Sequence, residues 1–320
     1  MTRTPAVGVM LPRDLDPTQV LTFARQADDL GFDELWVVED LGFRGGVAQT
    51  AAVLAATTRI RVGIGILPAA VRNVAFAAME VATLAQLFPG RVDVGIGHGM
   101  PDWMRSVGAW PARPLTFLEE YVTTLRALLR GETVTSAPGS PLALVDVALD
   151  PSALPEVVPD LLAGVRGPRS LAAAGRVADG TVLAEPTTPE YARAALAQIA
   201  PSGPHRVAGY DVAAVDDDAA AAYAAARPAL AWIGEPDWTV HIDPLPFAAE
   251  FHALRASSAT REEFAARLPD EWVAQLALAG TPDAVRARLT ALAEAGVTSA
   301  VLLPAGPDPL AALPSLARVL

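Results

Sequence analysis

Residues 91–99 read Arg91-Val92-Asp93-Val94-Gly95-Ile96-Gly97-His98-Gly99. A largely apolar run, the form of a strand buried on both faces, passes directly into a histidine held between glycines. A side chain that titrates near neutrality then stands at a strand end, between residues that let another molecule approach the backbone. That suits a site at the C-terminal edge of a parallel sheet. The same pattern also serves a plain strand-to-helix turn whose glycines satisfy only backbone geometry.

Outward from this strand the pattern repeats. With 91–96, runs at 6–11, 34–38, 60–67, 160–165, 179–183, 207–215 and 299–303 make eight strand candidates. Amphipathic helical patterns separate them at 17–30, 48–56, 75–87, 115–129, 170–176, 189–199 and 219–226, and 282–295 and 310–319 flank the last strand. Such alternation predicts an α/β fold, a (β/α)8 TIM barrel, as a single domain over 1–320. A doubly wound open sheet needs fewer strands and a more specific glycine turn early in the chain. Gly95-x-Gly97-x-Gly99 does not have the dinucleotide-binding spacing.

Two stretches break the rhythm. Residues 133–159 are proline-rich and poorly periodic, and are expected to cover part of the barrel mouth. Residues 235–272 hold Trp238, His241, Phe247, Phe251, His252 and Trp272. They predict a partly helical insertion between strands 7 and 8, serving as a lid or as a packed excursion.

Composition removes several chemistries. The chain has 320 residues, is 52% hydrophobic and carries a net charge of -12 without a basic run, which argues against nucleic acid and anionic membranes as partners. No apolar run reaches the length of a membrane span, and no secretory signal opens the chain, so a cytoplasmic protein is expected. Cysteine is absent, and all 24 basic residues are arginine. Schiff-base chemistry and a P-loop lysine are therefore excluded. With four histidines and no His-x-His, no metal is expected.

In a barrel the working residues lie just past the strand ends. The sequence places there Glu39 and Asp40, then Pro68, Arg72 and Asn73, then His98, Asp102 and Trp103, then Arg166-Gly167-Pro168, and finally Glu185. The four carboxylates Glu39, Asp40, Asp102 and Glu185 leave a glycosidase reading open. Arg166-Gly167-Pro168-Arg169-Ser170 opens a helix whose free N–H groups suit either an anion or an ordinary cap.

Several runs together resemble the luciferase-like monooxygenase superfamily. These are Gly63-Ile64-Gly65-Ile66-Leu67-Pro68, Arg72-Asn73, Ala78-Met79-Glu80, Phe88-Pro89-Gly90-Arg91, Gly95-Ile96-Gly97-His98-Gly99, Gly164-Val165-Arg166-Gly167-Pro168 and Gly175-Arg176-Val177-Ala178-Asp179-Gly180. Within it, they are most similar to the branch that uses the deazaflavin coenzyme F420, which includes methylenetetrahydromethanopterin reductase-like proteins. The resemblance implies a barrel with an insertion after strand 7, hydride transfer between F420 and a small organic substrate, and a homodimer formed through the helices near 48–56 and 75–87. It also implies a cis, non-proline peptide at a strand-3 bulge, which falls at Gly65–Ile66. Glu39 and Asp40 are implied beside the cofactor ring, Gly65 and Ile66 behind it, and Gly97, His98 and Gly99 around it. Val165, Arg166 and Gly167 are implied at its side chain or phosphate, and Pro68, Pro168 and Glu185 complete the candidate cofactor set. His98 and Asp40 are the candidate proton donors. Sugar-oxidising relatives carry a histidine where this chain has Asp40, a glutamate near Met100 and a lysine where it has Thr187, so their acid–base scheme does not transfer. The same pocket also suits an FMN-dependent monooxygenase or a flavin-binding barrel without chemistry.

Overall fold

A computed structural model describes residues 4–320. In chain order the elements are β1 (Ala6–Met10), α1 (Val20–Leu30), β2 (Glu34–Val37), α2 (Gly46–Ala56), β3 (Arg61–Pro68), α3 (Val74–Leu87), β4 (Val92–Gly97), α4 (Pro101–Ser106) and α5 (Pro114–Leu129). They continue with β5 (Asp160–Gly164), α6 (Pro168–Val177), β6 (Gly180–Leu183), α7 (Pro189–Ile199), β7 (Arg206–Val215) and α8 (Ala219–Ala226). Then come α9 (Thr239–Ile242), α10 (Ala248–Ala256), α11 (Arg261–Ala266), α12 (Asp270–Leu276), β8 (Leu278–Gly280), α13 (Pro282–Glu294), β9 (Ser299–Pro304) and α14 (Pro309–Leu316). This is the element order of a (β/α)8 chain, and each predicted strand lies within one residue of its observed bounds. The extra strand, β8, has three residues, too few to show a period. By spatial contact the chain divides into two compact units, one of residues 4–35, 183–198 and 207–320, the other of 36–182 and 199–206.

In the 36–182 unit, β3, β4, β5 and β6 pair in parallel and in that order. Val62, Ile64, Val92, Val94 and Ile96 are buried on one face. Helices α2, α3 and α5 pack against these strands. Helix α3 earns its place by spacing: Val74, Ala77, Ala78, Val81, Ala82 and Ala85 recur every three or four residues and are all buried. Its start is capped by Asn73, whose side chain accepts the Ala75 N–H at 2.9 Å. Near the N-terminal ends of the strands, the fully buried Asp93 is paired with Arg61 at 2.5 Å and Arg206 at 2.8 Å, and Arg206 also reaches Asp160 at 3.0 Å. Each of the two guanidiniums offsets the cost of burying that carboxylate.

In the other unit, β9 pairs in parallel with β1 and with β7, and the last residues of β7 pair with β8. The stretch between α8 and β8 is helical for most of its length, more than the sequence pattern predicts. It has a core of its own, in which Phe251 and Phe264 meet edge to face at 5.1 Å and Phe247 stacks on Trp272 at 4.8 Å. Phe251 is therefore a packing residue. Among the described residues no helix is long and apolar enough to cross a membrane.

Candidate active site

The C-terminal half of β3 is where the pairing departs from regularity. Ile64 faces Val94 and Leu67 faces Ile96, so Gly65 and Ile66 both stand opposite Gly95. This is a β-bulge, which re-aims the extra side chain. The Gly65–Ile66 peptide is cis, at the position that the resemblance implies. Three glycines then make room for Ile66. A Cβ on Gly95 would lie 2.5 Å from the Ile64 carbonyl oxygen and 3.0 Å from Ile66 Cγ2, a Cβ on Gly97 2.6 Å from the Gly164 carbonyl oxygen and 3.0 Å from Ile66 Cδ1, and a Cβ on Gly164 would overlap Ile66 Cγ2. Gly95 and Gly97 share one face of β4 because side chains alternate along a strand. Their absent side chains leave room for the carbonyls of Ile64 and Gly164 and for Ile66, a packing role that the motif alone does not reveal. Gly99 differs: its φ of 71° lies in the left-handed region, where glycine carries no steric penalty. Pro68 ends β3 beside Gly97 and is buried.

Beyond β4 the chain opens a cleft of about 330 Å³, lined by His98, Trp110, Pro114, Leu115, Gly167, Pro168, Arg169 and Ser170. His98 Nε2 lies 3.4 Å from Ser170 Oγ, and its ring is tilted 56° to that of Trp110 at 6.4 Å. Partial burial holds the His98 pKa below its ordinary 6.5, so the imidazole is neutral at pH 7. The opposite wall is the start of α6. Gly167 is its N-cap and Pro168 its first residue, leaving N–H groups of the first turn without intrahelical acceptors. Around Gly167 a Cβ would meet nothing within 4 Å, so a ligand can approach this backbone closely. Val165 is buried just before it, Arg166 is half-buried and Arg169 is exposed.

Glu39 is placed differently. Its carboxylate takes two hydrogen bonds from Arg72, at 2.5 and 2.8 Å, and one from the Gly46 N–H at 2.7 Å. Arg72 also pairs with Glu80 at 3.2 Å. The bond to Glu39 raises the arginine's pKa above its ordinary value, and burial pushes the nearby Tyr121 phenol upward. Glu39 thus ties the segment after β2 to the segment after β3 and to the start of α2, where a carboxylate is also favoured by the helix dipole. Asp40, half-buried, follows it, and its carbonyl oxygen accepts the Phe43 N–H at 3.0 Å. Asn73 is a helix cap, and Asp102 an exposed partner of Arg105 at 2.9 Å.

Glu185 belongs to the other unit, where it precedes Pro186 through a cis peptide. Thr187 follows, its N–H bound to the Asp211 carboxyl at 2.9 Å. In the 36–182 unit the structure therefore gathers His98, Gly167 and Pro168 around one cleft, and Ile66 and Gly97 in one packed contact. Sequence reading named Ser170 only as part of a helix start, and missed Trp110 in the cleft, the tie from Arg72 to Glu39, and Asp211. A lone acid in an apolar strand is the one signal that marks Asp211. Among the described residues no group of three or more His, Cys, Asp or Glu is placed to hold a metal.

Comparison with known proteins agrees with this architecture. The chain is 30% identical to a 5,10-methylenetetrahydromethanopterin reductase of Methanolobus tindarius, across 92% of this chain and 93% of that protein. It is 31% identical to an F420-dependent glucose-6-phosphate dehydrogenase of Microbacterium testaceum across 54% of each chain. Its fold matches the solved structure of the coenzyme F420-dependent tetrahydromethanopterin reductase of Methanopyrus kandleri, with a TM-score of 0.84, 21% identity and 99% of both chains covered. The (β/α)8 fold predicted from the strand count is thereby shown. The luciferase-like monooxygenase family model matches residues 3–299. With a match over nearly the whole chain, this protein belongs to the luciferase-like monooxygenase family.

Proposed function

We propose that the protein is an oxidoreductase that transfers a hydride between coenzyme F420 and a small organic substrate. The observation that carries this reading is the 30% identity to the Methanolobus reductase over more than nine-tenths of both chains. The residues of the 36–182 unit fit such a cofactor. An apolar wall of Trp110, Pro114, Leu115 and Pro168 suits a planar ring system, and the start of α6 suits an anionic group. When bound, F420 supplies a ring carbon that accepts or releases the hydride.

The chain's own residues then have to bind, orient and keep out water. Ile66, with Gly65 and Pro68, backs the ring from the bulge. Gly97, His98 and Gly99 line it, and Val165, Arg166, Gly167 and Pro168 hold the anionic side chain. Glu39 keeps the loop carrying Asp40 in place through Arg72, and Glu185 contributes from the loop after β6. His98, neutral at pH 7, takes up or delivers a proton at Nε2, with Asp40 as the other candidate. The same reading treats 1–320 as one catalytic domain, with 235–272 as an insertion or lid segment within it.

We also propose a cytoplasmic homodimer. Helix α3 exposes Phe76, Met79 and Leu87, at 65%, 52% and 66%, along its length, and α2 exposes Ala48, Ala52 and Ala55. A large apolar side chain left in water along a helix is what a second copy would cover.

Fluorescence-quenching titrations with F420 and with FMN test the reading. Saturable quenching by F420 at micromolar concentration is expected. Saturation by FMN alone, with oxygen uptake from reduced FMN, would instead assign a monooxygenase. No F420 binding at that concentration would overturn the proposal.

A further inference from the structure

Glu185 sits on the loop of residues 184–188, and that loop is fastened by buried side chains from two other elements. From β7, Asp211 Oδ1 accepts the Thr187 N–H at 2.9 Å. From α9, His241 Nδ1 lies 3.3 Å from the Pro186 carbonyl oxygen. Inside the loop the Thr187 hydroxyl donates to the carbonyls of Leu183 and Ala184, at 3.4 and 3.3 Å. Thr187 also packs over Gly209, where a Cβ would lie 2.6 Å from its methyl. Thr187, Asp211 and His241 are 1%, 3% and 0% exposed, and the Tyr191 ring lies against that of His241 at 4.1 Å, tilted by 31°. So many buried contacts on five residues exceed what an ordinary strand-to-helix connection needs.

We propose that Asp211 and His241 are positioning residues for Glu185, fixing its loop from β7 and from the helical insert so that the acid keeps one orientation. Burial favours the neutral form of Asp211. Its second oxygen, Oδ2, is buried and takes no hydrogen bond from the described residues, which costs a charged carboxylate more than a neutral acid. Burial raises its pKa well above 3.8, the Thr187 N–H and Arg288 of α13 act against this, and the charge of Glu185 adds to it. Ionisation of Asp211 would set a second negative charge against Glu185. What Glu185 faces rests on the hydride-transfer reading, while the fastening of the loop does not.

The test compares Asp211→Asn, Asp211→Ala, His241→Phe and Glu185→Gln with the parent protein. Amide exchange is read in a peptide spanning 183–191, without cofactor. F420 affinity is read by fluorescence quenching. Asp211→Asn keeps the acceptor and the neutral state, so its exchange should match the parent. Asp211→Ala and His241→Phe should exchange about tenfold faster at Thr187. Asp211→Ala should weaken F420 binding about tenfold, and adding Glu185→Gln to it should cost little more. Parent-like exchange in both Asp211→Ala and His241→Phe would overturn the proposal, as would Asp211→Asn behaving like Asp211→Ala. Should Asp211→Ala not fold, parent-like exchange in His241→Phe overturns the proposal by itself. A parent protein that ignores F420 would sink the functional reading alone, since the exchange comparison needs no cofactor.

Discussion

Ile66 packs over Gly97: a Cβ there would lie 3.0 Å from Ile66 Cδ1 and 2.6 Å from the Gly164 carbonyl oxygen, so Ile66 and β5 together leave it no room. The bulge in β3 and the glycines of β4 and β5 are thus one packing unit. The contact predicts the outcome of substitutions on either side.

Gly164→Ala should destabilise the fold by about 1–3 kcal/mol, because the added methyl has to displace Ile66. The three atoms nearest that methyl all belong to the Ile66 side chain. Gly164→Ala combined with Ile66→Ala should therefore be less unstable than the two single losses added together. Denaturant midpoints of the four proteins measure this coupling, and strict additivity would show that Ile66 does not fill the space at Gly164.

The Glu39–Arg72 pair, bidentate and mostly out of solvent, should resist separation. Glu39→Ala should cost about 1–3 kcal/mol, as it removes a charge-assisted bond and leaves the Gly46 N–H without its acceptor. A double-mutant cycle with Arg72→Ala should return most of that as coupling, and a coupling near zero would assign the loss to Gly46 alone.

His98 has its folded-state pKa below 6.5 because burial disfavours the imidazolium. Its contribution to stability is complete above that value and is lost as pH falls through the folded pKa. Replacing His98 with Gln should flatten the stability profile on the acid side of pH 6.5 and leave it unchanged near pH 8. Turnover or cofactor affinity should fall about tenfold or more in the same variant, as for a proton-transfer group. Unchanged turnover and affinity would leave His98 as a wall of the cleft.

Asp211 has the opposite sign. Its folded pKa lies above the ordinary 3.8, so its contribution is fully present below that value and drains away as pH rises through the folded pKa. Asp211→Asn should make the protein more stable than the parent at pH 7. The gap should widen with pH by no more than about 1.4 kcal/mol per unit. Thermal melts across pH 4 to about pH 9 check this, and parallel profiles for the two proteins would mean that Asp211 is ionised in the fold.

Should α3 form a dimer face, Phe76→Glu with Leu87→Glu would place two charges on it without touching the core, since both side chains are mostly exposed. The parent should then sediment as a dimer and the double variant as a monomer. A parent that sediments as a monomer would remove the proposed face.

The strands were legible because β-branched runs buried on both faces leave a continuous apolar signal, and each was read to within one residue. The three-residue β8 and the near-continuous helices between α8 and β8 were not, because short elements there are held by one another. Phe251 reads as an aromatic of a possible lid, yet its partners Phe264 and Trp272 lie more than a turn away in sequence. In the cleft, His98 and the stretch from Gly167 to Ser170 announced themselves through glycine, proline and a titratable ring, whereas Trp110 carries no local sign of its role.

By itself the sequence determined the alternation of strand and helix, the exclusion of thiol and lysine chemistry, and the stretches that carry the family pattern. These depend on residue type and on spacing along the chain. Only the tertiary structure decided that the glycines of β4 and β5 house Ile66, that Arg72 engages Glu39, and that Asp211 and His241 hold the loop of Glu185. Each of these joins residues far apart in the chain, and burial and hydrogen-bond geometry exist only once the fold has brought them together.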